Sequence, residues 1–201
     1  MARPTAADLA QAVHRTIEDV IEPGLDVLFV GINPGLWSAA TGHHFARPGN
    51  RFWRAIQLAG FTPDVLAPSA QRDLLRYGIG ITNLVPRTTA TAAELTDEEI
   101  RTGAVRIIQK VERYRPRAVA FLGVSSYRIA FGRPKAQVGR QPDPIGATEV
   151  WVLPNPSGLN AHYQLPQLAE AYGQLRRAIP RASAESLAAA ESRRGTAAGS
   201  G

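Results

Sequence analysis

Cysteine is absent from the 201 residues. That excludes disulfides, thiolate zinc sites and cysteine-held iron–sulfur clusters, and it fits a reducing, cytoplasmic setting. Lysine is almost missing: of 23 basic residues, only Lys110 and Lys135 are not arginine. No apolar run approaches the roughly 18 residues that would cross a bilayer, and no charged-then-apolar secretory segment opens the chain. The expectation is a cytoplasmic protein with no membrane partner. Neither Gly-x-Gly-x-x-Gly nor Gly-x-x-x-x-Gly-Lys-Ser/Thr occurs, so the usual phosphate-cradling loops of nucleotide-binding α/β folds are not there. His43 and His44 are adjacent but have no acidic cluster nearby, which makes them poor metal ligands. No metal and no cofactor is expected.

What is present is a net charge of +6 carried by arginine. Fork-shaped guanidiniums suit phosphate contact, and Arg47, Arg51 and Arg87 are candidate contributors. The length suits a single domain able to bury its own core, and a monomer is expected.

The central stretch is Asp26 to Gly35, a β-branched and apolar run that breaks into Gly31-Ile32-Asn33-Pro34-Gly35. Such a run is too short for a helix and reads as a buried parallel strand ending in a tight turn. In open α/β sheets ligands bind at that edge. Before it, Thr5-Ala-Ala-Asp8 resembles a capping box, and Leu9, Val13, Ile17, Val20 and Ile21 follow at helical spacing up to Pro23-Gly24. After it, residues 33–49 read as one long loop, a length that usually carries function. Helices are predicted from Asn50 to Gly60 and near Ala67 to Tyr77, with a short strand over Gly80 to Val85. A second capping box, Thr96 to Glu99, opens a helix through Tyr114. Ala118 to Gly123 repeats the strand-then-glycine form, and Ser125 to Phe131 is a short helix. Residues 133–146 read as loop, Glu149 to Leu153 as the last strand, and Leu165 to Ile179 as the closing helix.

Alternating strands and helices predict an α/β protein, a single-domain three-layer α/β/α sandwich with a mostly parallel central sheet. The expected organisation is an N-terminal helix over 1–24, a main domain over 25–180 and a disordered tail over 181–201. The tail is rich in Ala, Ser, Gly and Arg and has little to bury.

The last strand runs into Asn155-Pro156-Ser157-Gly158-Leu159-Asn160, at the carboxyl end of a strand as Asn33 is, so both loops can open onto one cleft. With Gly31 to Gly35, Phe45, Asn50-Arg-Phe-Trp53, Gly80 to Thr89 and Val152 to Leu159, the chain resembles the mismatch-specific uracil/thymine DNA glycosylases of the uracil-DNA glycosylase superfamily, over roughly residues 20 to 178. The missing cysteines exclude the branches with a four-cysteine cluster. The resemblance implies hydrolysis of the N-glycosidic bond of uracil opposite guanine, with thymine or exocyclic cytosine adducts as further substrates. Its partner would be double-stranded DNA with a G:U or related mismatch, since flipping a base costs least where pairing is poor.

The resemblance also implies roles. Asn33 would hold the attacking water through its amide carbonyl, although an amide cannot take up the proton. Ile32, Ser38, Phe45 and Asn83 would form the base pocket, with backbone N–H groups around Ile32 and Phe45 as donors and the Phe45 ring as the stacking face; core packing is the other reading of Phe45. Asn155, Pro156, Ser157, Gly158 and Leu159 would form the loop entering the duplex. Leu159 would be its wedge, and Gly158 would allow close approach to the widowed guanine. Two positions depart from the relatives: Ala161 stands where some carry Arg, with His162 next, and Trp37 replaces a small residue. Trp37 either covers the pocket or packs outside it. The alternative of another class is a non-catalytic mismatch or duplex DNA-binding module.

Overall fold

The computed structural model describes residues 3–179. Its centre is a five-stranded sheet in the order β2-β1-β3-β5-β4, with β1 Val27–Gly31, β2 Ile79–Asn83, β3 Ala118–Leu122, β4 Gly139–Arg140 and β5 Glu149–Leu153. β2, β1, β3 and β5 are parallel, and the two-residue β4 joins antiparallel to β5 within the stretch expected to be loop. The helices are α1 Ala6–Gln11, α2 Leu36–Thr41, α3 Phe52–Leu58, α4 Asp97–Tyr114, α5 Val124–Phe131 and α6 Leu165–Ala178.

Side chains alternate across a strand, so a strand buried on both faces feeds two cores. In β1, Val27 and Phe29 join a cluster with Phe52 and Ile56 of α3 and Tyr172 and Leu175 of α6. Leu28 and Val30 join the opposite cluster with Ile107 and Val111 of α4 and Tyr127 of α5. This is the three-layer α/β/α sandwich expected. Among the described residues no helix is long and apolar enough to cross a membrane.

The amino-terminal segment differs from expectation. The capping box forms, with Asp8 N–H donating to Thr5 Oγ1 at 3.2 Å and Thr5 N–H to Asp8 Oδ2 at 2.8 Å. The helix nevertheless ends at Gln11, followed by a 3₁₀ turn Ala12–His14. The apolar positions at Ile17, Val20 and Ile21 belong to an extended strap instead. Val20 exchanges backbone hydrogen bonds with Ile81 at 2.9 and 2.8 Å, so pairing to the free side of β2 outweighs a weak helical preference in a stretch rich in β-branched residues. The helix expected over Ala67 to Tyr77 is a 3₁₀ run, Pro68–Tyr77, broken at Ala70. The expected loop over 33–49 contains α2, closed by Gly42 in the left-handed region (φ 72°). The tail over 181–201 lies outside the described residues.

Candidate active site

The carboxyl ends of β1, β2, β3 and β5 open into one cleft of about 600 Å³. Asn33 and Ile32 stand at the exit of β1 and Asn83 at the end of β2, with Ser38 and Phe45 contributed by the segment that follows β1; all five line the cleft. Asn155, Ser157 and Leu159 line it from the loop after β5. Pro156 and Gly158 belong to that same loop but are not part of the cleft lining. The two loops therefore meet, as their common position at strand ends requires.

Pairing of β1 with β2 continues beyond the strands: Leu84 N–H donates to Gly31 O at 2.8 Å, Val85 N–H to Ile32 O at 2.9 Å and Thr89 N–H to Pro34 O at 3.2 Å. This extension brings residues 87–89 beside Asn33. The Asn33 amide nitrogen donates to Thr89 Oγ1 at 2.7 Å and Arg87 O at 3.0 Å, with Pro34 O at 3.3 Å. Backbone carbonyls only accept, and the single Thr89 hydroxyl proton goes to Thr91 O at 2.7 Å. The orientation of the amide is thus dictated by its surroundings. Its nitrogen is tied to the protein, and Oδ1 carries the acceptor capacity that remains. Thr89, 3 % exposed, is a site residue that sequence reasoning did not single out, although its segment is among those that carry the resemblance.

Phe45 sits at φ 53°, a left-handed conformation that costs a non-glycine residue roughly 1–2 kcal/mol. The flanking chain imposes it. His43 N–H bonds Ser38 O at 3.1 Å, His44 N–H bonds Gln71 Oε1 at 2.8 Å and Ala46 N–H bonds Ser38 Oγ at 3.1 Å. Buried Ser38 therefore braces the loop as well as lining the cleft. The Phe45 ring stacks on Phe52, 4.2 Å between centroids at 26°. The ring thus rests on the core and also lines the cleft. Gly31 is required beneath it, because a Cβ there would lie 2.6 Å from Asn83 Oδ1 and 3.2 Å from Phe45 Cζ.

The loop after β5 is shaped by its own polar groups. Asn155 Oδ1 accepts from Ser157 N at 2.9 Å, Asn160 Nδ2 donates to Asn155 O at 2.9 Å, and Leu159 N–H reaches Ser157 Oγ at 3.3 Å. Tyr172, fully buried, donates its hydroxyl to Pro154 O at 3.1 Å and pins the loop's base to α6. Burial pushes that phenol far above its ordinary range, so it stays a donor. Leu159 stands out from the loop, 73 % exposed.

Gly158 packs closely on the protein's own backbone as well: an added Cβ would lie 2.7 Å from the Gly49 carbonyl. The expectation for the arginines is corrected here. Arg51 is turned inward: its guanidinium donates to Tyr163 O at 2.6 Å, Asn160 O at 3.0 Å and Pro156 O at 3.4 Å, and also to Ser157 O. Its backbone N–H bonds Pro156 O at 3.0 Å. Arg51 is a clamp on the loop after β5. Arg87 is also engaged, in a two-point pair with Glu99 at 2.6 and 3.0 Å, which holds the Glu99 carboxyl down at about 2. Of the three arginines only exposed Arg47 lines the cleft without a carboxylate partner among the described residues.

Trp37 lies outside the cleft, in a surface hollow with Pro4 and Pro68, under the Arg3 guanidinium at 5.7 Å. His162 lines the cleft and Ala161 is exposed beside it. Among the described residues no group of three potential metal ligands exists. His44 instead contacts Glu18 O and Asn83 through its two ring nitrogens. Ile17 of the strap lines the cleft as well, so the amino-terminal segment is part of the site.

Comparison with known proteins agrees with this fold. The solution NMR structure of a Methanosarcina acetivorans protein, provisionally assigned as a uracil DNA glycosylase, is similar to this chain with a TM-score of 0.57 and 20 % identity, over 81 % of this chain and 96 % of that one. At that identity the likeness establishes the fold. The family model of the uracil DNA glycosylase superfamily matches residues 18–176, from the strap to α6. A match over that span, with both cleft loops inside it, makes the chain a member of the uracil DNA glycosylase superfamily, whose members are DNA glycosylase hydrolases.

Proposed function

We propose that this protein excises uracil opposite guanine from duplex DNA by flipping the nucleotide into the cleft and directing water at C1′, with thymine or exocyclic cytosine adducts as further substrates. One observation carries the reading: the Asn33 amide is turned so that its nitrogen is consumed by Thr89 and Arg87 while Oδ1 is left to accept from a water. Breaking the bond creates an oxocarbenium-like sugar and an anionic pyrimidine. Donors fixed in advance stabilise the anion without reorganisation; the main-chain N–H groups of Ile32 and Phe45 are the candidates. The Phe45 ring, backed by Phe52, offers a flat face to the base. Leu159 would fill the gap left in the stack, and Arg47 would meet backbone phosphate.

Because Asn33 positions water without accepting a proton, binding and chemistry should separate. Under enzyme excess, Asn33→Ala is expected to lower base release from G:U duplex by about a hundredfold or more while mismatch affinity stays near wild type. Release at the wild-type rate would sink the mechanism. A wild type that binds but releases no base, tested with uracil, thymine and an exocyclic adduct opposite guanine, would favour a binding module.

A further inference from the structure

His44 is 2 % exposed and sits between Glu18 of the strap and Asn83 at the end of β2. Its Nε2 lies 3.0 Å from Glu18 O. A backbone carbonyl can only accept, so Nε2 carries the proton and, in a neutral ring, Nδ1 is left with a lone pair. Nδ1 is 3.4 Å from Asn83 Nδ2, which accordingly donates to it. The far side of the amide is then decided: Oδ1 hangs over Gly31 beside the Phe45 ring, in the space that a Cβ at Gly31 would fill.

We propose that His44 is a positioning residue that fixes the Asn83 amide with its oxygen toward the flipped base, and so selects pyrimidines that carry a proton on N3. This rests on the glycosylase reading above and extends it. Uracil and thymine donate from N3 to an acceptor, whereas cytosine presents a lone pair there and would face oxygen against nitrogen. Without a partner for Nδ2 the amide can turn by half a revolution at little cost, since its two ends are nearly isosteric, and the preference disappears. Selectivity of this kind comes from leaving the wrong base with unpaired polar groups in a closed pocket.

The relay is anchored at both ends. The His44 backbone is held through Gln71 Oε1 on its N–H and Trp53 Nε1 at 3.3 Å on its carbonyl. Glu18 belongs to the strap, fixed by the Val20–Ile81 pairing and by Thr82 Oγ1 donating to Asp19 Oδ1 at 2.6 Å. The groups around the ring are the Glu18 carbonyl, the Asp19 carboxylate, the Lys110 ammonium and His43. Burial is the largest influence on the ring and lowers its pKa; the Glu18 hydrogen bond and Asp19 oppose this, and Lys110 and His43 add to it. The buried ring therefore takes up a proton less readily than an exposed imidazole would.

The test is a double-mutant cycle with a spectroscopic arm. His44→Leu removes the acceptor and His44→Gln supplies another. Single-turnover release from G:U duplex should fall about tenfold in His44→Leu, with a narrower preference for uracil over cytosine, and should be largely kept in His44→Gln. In an Asn83→Ala background His44→Leu should cost little more; equal losses in both backgrounds would mean that His44 only supports the fold, and would overturn the proposal. Selectivity should fade as pH falls and Nδ1 gains a proton, and that limb should be missing in His44→Gln. Nitrogen NMR of the imidazole reads the tautomer without any substrate: Nδ1 should be the unprotonated nitrogen and should shift in Asn83→Ala. A proton on Nδ1 overturns the relay whatever the activity. A wild type that releases no base yet gives the expected spectrum overturns the glycosylase reading and upholds the relay's geometry.

Discussion

Asn33 and Leu159 stand on loops that leave the same edge of one sheet, yet the Asn33 side chain is tied to three acceptors and the Leu159 side chain to none. The difference extends to their surroundings. Around Asn33 the locks are several: the Thr89 hydroxyl and the Arg87 carbonyl from the adjoining strand extension, and the Pro34 carbonyl next to it in the chain. Around Leu159 the loop holds its shape through Asn155, Ser157 and Asn160, but its seat on the rest of the protein depends on Tyr172, Gly158 against Gly49, and above all the Arg51 guanidinium. A water and a flipped base need fixed geometry, which redundancy supplies. A plug that enters duplex needs an exposed apolar tip on a firm base, and one polydentate cation gathers four carbonyls more economically than four separate donors.

That contrast predicts unequal sensitivity to losing one lock. Arg51→Gln should have the largest effect: several carbonyls lose charged donors, stability should fall by about 2–3 kcal/mol, and release from duplex should drop about a hundredfold, well beyond the loss on single-stranded uracil. Thermal melts with duplex and single-strand assays in parallel check this, and equal losses on both substrates would remove the assigned role. Leu159→Ala comes next. The side chain is exposed, so melting should not change, while duplex excision should fall about tenfold as the flipped state loses its apolar plug; an unchanged duplex rate would show that Leu159 fills nothing. Thr89→Val should be the mildest. The Asn33 nitrogen keeps Arg87 O and Pro34 O, so kcat should drop only about fivefold, with KM nearly unchanged. A collapse of activity in Thr89→Val would mean that the pocket is no more redundant than the loop.

Much of the frame was legible in the residues, for reasons that also mark the limits. β1, β3 and all of β5 beyond Glu149 are buried on both faces, so they are apolar runs. The helices with full capping signals, α4 above all, were bounded by Thr96 and Glu99 as expected. Helix α2 was hidden because Leu36 to Thr41 is too short to show a period, and its end depends on Gly42. The amino-terminal strap was misread because apolar residues at 13, 17 and 20 fit a helix while their actual partner, the outer side of β2, is sixty residues away. Asn33, Phe45 and Leu159 could be proposed from motif and resemblance. Thr89, His44 and Arg51 could not be given their roles, because each is defined by a partner brought near only by the sheet; Arg51 even carried the opposite expectation, since an arginine looks the same in sequence whether it faces phosphate or its own backbone.

The strap has one more consequence. β2 closes one side of the sheet, and the outward backbone groups of such a strand are a template on which a second chain can add. By exchanging both hydrogen bonds with Ile81, Val20 occupies that template. The opposite side is guarded differently, by a β4 only two residues long. Trimming the chain to begin at β1 would therefore do more than shorten it: it would uncover a sticky rim, and self-association at that rim, rather than unfolding, would be the first sign that the segment was gone.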